Sequence, residues 1–392
     1  MGKAFGARKK VVILGSTGSI GMNTLKVIER FPDRFEVVGL TAWNNVEILA
    51  RQVKRFRPRF VAVRRDKREQ LTQAISGGRA RVFDVENDLE ELVSRTDVTT
   101  VVIGMSSSAA LRPFLAAARA GKIIAPANKE ALVAAGHLIM AVVKKYGATV
   151  IPVDSEQSAI FQCLDGAADR RVQRVHLTAS GGPLLHWPTR QLKQVQVEQI
   201  LAHPRWKMGA KITVDSATLM NKGFEVIEAR WLFDVPIPDI EVVIHPQAII
   251  HSMVEFVDGA VLAQLGITDM RLPIQYALSY PQRWSTGLQP LRFGTIGKLD
   301  FSPPDYKKFP CLGLALSAGE QGGTLPAVLN AANEAAVKAF LERRMRFVDI
   351  YSVGEAVVSR HRKRNNPSLE EVLAAEVWAR IKAEEWICKQ QL

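Results

Sequence analysis

The stretch Lys9-Lys-Val-Val-Ile-Leu-Gly-Ser-Thr-Gly-Ser-Ile-Gly21 decides how the first part of this chain folds. Lys9 to Leu14 is an apolar run of the kind that makes a buried strand, and Gly15-Ser-Thr-Gly-Ser-Ile-Gly21 follows it without a spacer. Asn23 to Arg30 then reads as a helix, ended by Phe31-Pro32. A glycine loop between strand and helix is the setting of a dinucleotide fingerprint, here in a G-x-x-G-x-x-G variant. Its glycines let the backbone approach a pyrophosphate, and the helix start offers oriented N–H donors.

Outward from that loop the same rhythm continues. The next strand, Glu36 to Thr41, ends in Ala42-Trp43-Asn44-Asn45. An NAD site places an Asp or Glu there to hold the ribose hydroxyls. None is present, which leans towards NADP, although no Arg stands in that stretch either. A helix over Val46–Phe56, a strand over Phe60–Val63, a strand over Val101–Gly104, a helix over Leu111–Ala120 and a strand over Lys122–Ala125 complete a βαβ pattern. That pattern predicts a Rossmann-like, doubly wound parallel sheet. Asn128, Lys129 and Glu130 fall at the carboxyl end of its last strand, where such sheets bind ligands.

Ala148 to Val153 reads as a further strand with Asp154-Ser155-Glu156 at its end. On extended backbone the two carboxylates point the same way and suit a hard divalent cation. The same letters also fit an Asp cap and a first-turn Glu before a helix at Ser158–Leu164, and spacing does not choose between the two. Glu225 would complete a set of three acids if the segments meet. Val175 to Ala179 is a strand running into Ser180-Gly-Gly-Pro183, whose N–H groups could form an anion nest.

The segment His203 to Trp231 concentrates a His, a Trp, hydroxyls, an Asn, a Lys and several acids. Lys211 to Asp215 alternates and reads as a strand; Ser216 to Glu225 reads as a turn feeding a helix capped by Ser216. Donors converging on a helix start are what a phosphate ester requires. Strands over Ile240–His245, His251–Phe256 and Ala260–Gln264, with a hairpin turn at Asp258-Gly259, predict a mixed or antiparallel sheet. His245 and His251 lie on those strands, where a lone His is more often structural. Tyr280 to Pro310 reads as a linker, and helices follow at Ala327–Arg343, Val348–Arg362 and Ser368–Lys389, the last opened by a Ser368/Glu371 capping box. The reading divides the chain into a nucleotide-binding domain (1–149), an α+β mixed-sheet catalytic domain (150–280), a linker (281–311) and a C-terminal α-helical domain (312–392).

Composition narrows the classes. With 392 residues, 47% of them hydrophobic, the chain can build more than one core. No apolar run reaches the ~18 residues of a membrane span, and the basic start is too short for a signal peptide. Its three cysteines lack CxxC spacing, so a cytoplasmic protein without a disulfide framework is expected. The net charge is +13, and residues 51–70 hold nine Lys/Arg against two acids. Stacking aromatics are not interleaved with them, so the charge reads as solvated surface that attracts phosphorylated ligands, with neither a nucleic-acid nor a membrane partner.

GSTGSIG at 15–21, NKEALVAAG at 128–136, PVDSE at 152–156, LTASGGP at 177–183, HPRWKMGAKITVDSATLMNKGFE at 203–225 and HPQAIIHSM at 245–253 together resemble the 1-deoxy-D-xylulose 5-phosphate reductoisomerase family, as does NAANEAAV at 330–337. The matches run in order along nearly the whole chain. The resemblance implies an NADPH- and metal-dependent rearrangement and reduction giving 2-C-methyl-D-erythritol 4-phosphate, in isoprenoid precursor synthesis. It implies Asp154, Glu156 and Glu225 as ligands of Mg²⁺, Mn²⁺ or Co²⁺. Ser155 would touch a phosphorylated ketose substrate, and Ser180, Ser216, Asn221 and Lys222 would hold its phosphate. His203, Trp206 and Met208 would lie on a closing flap, Lys129 near metal and nicotinamide, and His251 at the border of the site. The cofactor would lie along Gly15, Ser16, Thr17, Gly18, Ser19, Ile20 and Gly21, with Ala42, Trp43, Asn44, Asn45, Asn128, Lys129, Glu130 and Gly209. A homodimer and inhibition by fosmidomycin are also implied. The chain departs from the family's usual pattern at Gln157, where many members have His, at Trp43-Asn44 in place of Gly-Lys, and at Ser106-Ser-Ser108 in place of a Gly/Ala-rich turn.

Overall fold

The computed structural model describes residues 8–75, 78–165, 171–201 and 209–390. The chain divides into two compact units, Met1–Ala131 with Ile139–Ser158 and Asp269–Leu288, and Leu132–Leu138 with Ala159–Thr268 and Gln289–Leu392.

In the first unit the elements run β1 (Lys9–Leu14), α1 (Ser19–Glu29), β2 (Phe35–Thr41), α2 (Val46–Phe56), β3 (Phe60–Val63), α3 (Arg68–Ala74) and β4 (Arg81–Asp84). They continue α4 (Leu89–Ser94), β5 (Thr100–Ile103), α5 (Leu111–Arg119), β6 (Ile123–Pro126), α6 (Glu130–Tyr146) and β7 (Thr149–Val150). The strands form one sheet in the order β4-β3-β2-β1-β5-β6-β7, every neighbouring pair parallel. Val11, Val12, Ile13 and Leu14 are fully buried, as expected of a central strand covered on both faces. The order reverses between β1 and β5, so the ligand crevice of such a sheet opens beyond their carboxyl ends.

The expected strand over 148–153 is only Thr149–Val150. Pro152 has no N–H for a ladder, and the chain turns at Asp154 into α7 (Ser155–Leu164), which begins in the first unit and ends in the second.

The second unit continues with β8 (Val172–Ala179), α8 (Val197–Leu201), α9 (Ala210–Thr218), α10 (Met220–Phe233), β9 (Ile240–Ile244), β10 (Ile250–Phe256) and β11 (Val261–Leu265). After α11 (Arg271–Ser279), which belongs to the first unit, come α12 (Phe293–Ile296), α13 (Pro310–Gln321), α14 (Leu325–Leu341), α15 (Asp349–Arg360) and α16 (Leu369–Gln390). The sheet order is β11-β10-β8-β9, with β8 and β9 parallel and β10 antiparallel to both β8 and β11. It is the expected mixed sheet, and the turn between β10 and β11 falls at Asp258-Gly259 as read. The capping box also forms: Ser368 N–H donates to Glu371 (2.9 Å) and Glu371 N–H to Ser368 Oγ (3.2 Å). Helix α14, buried along nearly its whole length, is the axis on which the C-terminal helices pack.

Residues 211–215 are not a strand but the body of α9. Their β-branched content and alternation favour a strand over so short a window. Tertiary packing overrides that preference, and Lys211 and Asp215 meet at 2.9 Å in the i,i+4 relation that only a helix gives. Ser216 is accordingly not a cap; it lies near the end of α9, and the break before α10 is Leu219, in the left-handed region at φ +60°.

Candidate active site

In the first unit the loop after β1 is shaped from within. Gly15 N–H donates to Thr41 Oγ1 (2.9 Å) and Ser16 N–H to the Thr41 carbonyl (2.8 Å). Ser16, fully buried, places Oγ 2.7 Å from Gln52 Oε1, and Gln52 Nε2 donates back to the Ser16 carbonyl at 2.8 Å. These bonds use the Ser16 side chain for loop shape and leave Gly18 and Ser19 exposed at the start of α1. A Cβ on Gly21 would stand 2.4 Å from the Gly15 carbonyl oxygen, so only glycine lets the helix start close against the loop.

At the end of β2, Ala42 is buried while Trp43, Asn44 and Asn45 are exposed. Asn45 Oδ1 accepts from Ile48 N–H (3.0 Å) and caps α2. The pairing of β2 with β3 runs past both strand ends: Ala42 N–H donates to Ala62 (2.9 Å) and Arg64 N–H to Trp43 (3.4 Å). Arg64 therefore stands beside Trp43, a neighbour that no reading of the β2 end alone can find.

Asn128 follows β6. Its Nδ2 donates to the carbonyls of Met105 and Ser107, both at 3.0 Å, and its Oδ1 accepts from Ala131 N–H at 2.9 Å. The side chain thus ties the loop after β5 to the start of α6, where Glu130 is buried in the first turn. Lys129, 5% exposed, brings Nζ to 2.8 Å from Asp154 Oδ2. Asp154 also accepts from Ser155 N–H at Oδ1 (3.1 Å) and from Ser158 N–H at its carbonyl (2.8 Å). Asp154 and Glu156 therefore flank a helix start, not extended backbone; the backbone is that of the capping reading, and it does not take the two carboxylates away from a cation. Anionic groups are favoured at that end of a helix. Ser155 Oγ donates to the Glu156 carboxylate, and Gln157 is fully buried behind them.

In the second unit Asn221 and Lys222 occupy the first turn of α10, and Glu225 lies one turn on, 1% exposed. Asn221 Nδ2 donates to Glu225 Oε1 and Lys222 Nζ to Oε2. The turn after β8 reaches the same place: Gly182 has φ +70°, and a Cβ on it would stand 2.6 Å from the Ser216 carbonyl oxygen. Ser180, whose Oγ accepts from Gly182 N–H at 3.4 Å, is thereby brought to the α9–α10 junction with Ser216, Asn221 and Lys222. Asp215 anchors that junction, accepting from Asn333 Nδ2 of α14 at 2.7 Å.

His251 is buried on β10. His245 is structural: Nδ1 lies 2.9 Å from the Asp300 carbonyl, Nε2 accepts from the N–H groups of Ile249 and Ile250 at 3.2 Å each, and the ring stacks on Phe301. His203, Trp206 and Met208 lie outside the described residues, and Gly209 is the N-cap of α9. The two buried thiols are poor nucleophiles. Burial pushes Cys163 up to about 11 and Cys311 up to about 12.

Asp154, Glu156 and Glu225 offer only carboxylate oxygen. A lysine ammonium already lies on Asp154 and another on Glu225. Anionic oxygen donors of this kind fit a hard divalent cation.

The family model described as 1-deoxy-D-xylulose 5-phosphate reductoisomerase matches residues 11–136, its C-terminal domain matches 150–233, and a DXP reductoisomerase C-terminal domain matches 265–382. The 1-deoxy-D-xylulose 5-phosphate reductoisomerase of Synechococcus sp. (strain JA-2-3B'a(2-13)) is 51% identical, covering 94% of this chain and 95% of its own. That of Caldanaerobacter subterraneus is 50% identical over 95% and 97%. A crystal structure of DOX-P reductoisomerase in complex with NADPH, fosmidomycin and magnesium superposes with a TM-score of 0.93 at 40% identity, over 97% of this chain and 98% of that one. The Zymomonas mobilis enzyme in complex with NADPH gives 0.91 at 40% identity, over 97% and 99%.

Proposed function

This chain belongs to the 1-deoxy-D-xylulose 5-phosphate reductoisomerase family, and from that premise we propose how its residues share the reaction. The enzyme converts 1-deoxy-D-xylulose 5-phosphate to 2-C-methyl-D-erythritol 4-phosphate for isoprenoid synthesis, with NADPH and a divalent metal ion. The observation that carries the residue assignment is the pairing of two carboxylates with buried lysines, Asp154 with Lys129 and Glu225 with Lys222.

Asp154, Glu156 and Glu225 are the metal's ligands in this reading; when bound, the ion polarises the substrate's carbonyl and adjacent hydroxyl and stabilises developing negative charge. Lys129, whose Nζ lies 2.8 Å from Asp154 Oδ2, orients that carboxylate. Ser155, on the helix start between the two acids, meets the substrate. Ser180, Ser216, Asn221 and Lys222 grip the phosphate, whose remote binding energy orients the carbon skeleton. His203, Trp206 and Met208 cover the substrate and exclude water, with His251 at the border. The hydride is supplied by the nicotinamide, because no side chain can release one. The loop Gly15–Gly21, with Trp43–Asn45, Asn128, Glu130 and Gly209, positions that cofactor.

Mixing the enzyme with 1-deoxy-D-xylulose 5-phosphate, NADPH and Mg²⁺ should consume NADPH, and EDTA or fosmidomycin should stop it. Absence of consumption with Mg²⁺, Mn²⁺ and Co²⁺ alike would sink the assignment. A dehydrogenase acting through a cysteine thiohemiacetal is disfavoured by the raised pKa of Cys163 and Cys311. We also place the enzyme in the cytoplasm, in keeping with three unpaired cysteines, and read it as a homodimer. Support for the dimer lies in β11, which ends its sheet while Val261 and Leu262, with Val257 in the preceding turn, are each about half exposed.

A further inference from the structure

The cofactor carries a 2′-phosphate, and the stretch that would read it, Trp43-Asn44-Asn45, has no cation. Asn45 is already committed to capping α2 through its side-chain oxygen. The parallel neighbour of β2 is β3, in register Thr41↔Ala62. Because pairing continues to the Arg64 N–H and Trp43 carbonyl contact, the residues after β3 emerge at the same carboxyl edge as the end of β2. Those residues are Arg64 and Arg65. The Arg64 side chain is 35% exposed, Arg65 is exposed, and Trp43 beside them leaves 48% of its surface open. Asp66 binds Arg64 through Nε (2.6 Å) and through Nη2, which fixes the direction of the guanidinium. The same carboxylate would repel a phosphate, so the direct contact falls to Arg65, the exposed guanidinium next along the chain.

We propose that the Arg64–Arg65 pair, delivered from β3, reads the 2′-phosphate of NADPH in place of a cation on β2, with Arg65 as the contact and Arg64 as its electrostatic support. The inference rests on the cofactor reading above and adds the source of its NADP preference. A guanidinium has the fork geometry and permanent charge that a phosphate monoester needs. A nearby Arg is also the general device by which Rossmann-like domains accept a 2′-phosphate.

Equilibrium binding of NADPH, NADH and 2′,5′-ADP to the metal-free enzyme, followed by tryptophan fluorescence or calorimetry, tests this without turnover. Arg65→Ala and the Arg64→Ala/Arg65→Ala double variant should bind NADPH and 2′,5′-ADP roughly 10- to 100-fold more weakly, the worth of a charge-assisted hydrogen bond. NADH binding should stay at the parental value, which also shows that the variants fold. The salt dependence of NADPH binding should flatten towards that of NADH. A double variant with an unchanged NADPH-to-NADH affinity ratio would overturn the proposal. If the parent binds neither dinucleotide, the cofactor reading itself fails, a distinguishable result.

Discussion

Glu225 is a charged side chain with 1% of its surface exposed, held by an amide and an ammonium from its own helix. A buried carboxylate is costly unless paired, so its place on α10 argues for a use beyond stability. Glu225→Gln keeps the shape and removes the charge. Because even partners of a ligand set are worth roughly 10- to 100-fold, the proposed ligand role predicts that the change lowers turnover by more than that and weakens Mg²⁺ binding. Parental turnover at saturating Mg²⁺ would remove Glu225 from the ligand set. The thiols give a second prediction at this scale: with Cys163 and Cys311 pushed up to about 11 and about 12, an alkylating agent at neutral pH should modify Cys388 alone and leave activity intact. Two adducts by mass spectrometry, or inactivation with one, would contradict it. Residue chemistry was the most legible part of the sequence, since acids, hydroxyls and amides announce their capacities by type. Asn128 and Ser16 were less so, because their side chains serve the loops and a letter does not tell ligand from scaffold.

Whole strands and helices follow from patterning where the pattern is long, and β1, β2, α2 and β3 stand where periodicity put them. It failed at 211–215 and 148–153, short windows in which alternation and helix capping compete and the decision is made by distant partners such as Asn333. The C-terminal helices offer a test of how tightly such partners bind elements together. His361, just past α15, lies 2.8 Å from Thr324 Oγ1 at the start of α14, and its ring packs on Trp378 of α16. The same Thr324 oxygen accepts from Arg364 N–H at 3.1 Å. Burial, and then the Arg364 charge, hold the imidazole below its ordinary value of 6.5. Between the two values the unfolded chain binds more protons than the folded one, so this contribution is complete above 6.5 and is lost as pH falls below it. His361→Gln should therefore reduce the drop in urea midpoint between about pH 8 and about pH 5.5. An identical drop in parent and variant would mean that His361 is not a source of the acid sensitivity. The Gly21 loop is the corresponding steric case. Gly21→Ala must move backbone that stands 2.4 Å from the new methyl, and we expect a loss of about 1–3 kcal/mol in stability together with weaker NADPH binding. A variant as stable as the parent would show that the loop yields.

At the scale of the whole molecule, local patterning has the least to say, because the compact units are assembled from interleaved segments and interleaving leaves no periodicity. Composition does speak at this scale. A net charge of +13 makes copies of the chain repel one another, so stable self-association needs an apolar surface of its own. Strand β11 supplies one, with Leu262 51% and Val261 49% exposed at the end of the sheet, and Val257 51% exposed in the preceding turn. An edge strand so exposed, without Lys or Pro to blunt it, is a pairing surface unless another chain covers it. If a second copy does so, Leu262→Lys should place like charges across the interface and convert dimer to monomer in sedimentation experiments. NADPH binding should survive, since β11 lies in the second unit and the nucleotide loop in the first. A parent that sediments as a monomer would exclude the homodimer. A Leu262→Lys variant that remains dimeric at micromolar concentration would move the interface to another face, and the exposed apolar edge would then need a different explanation.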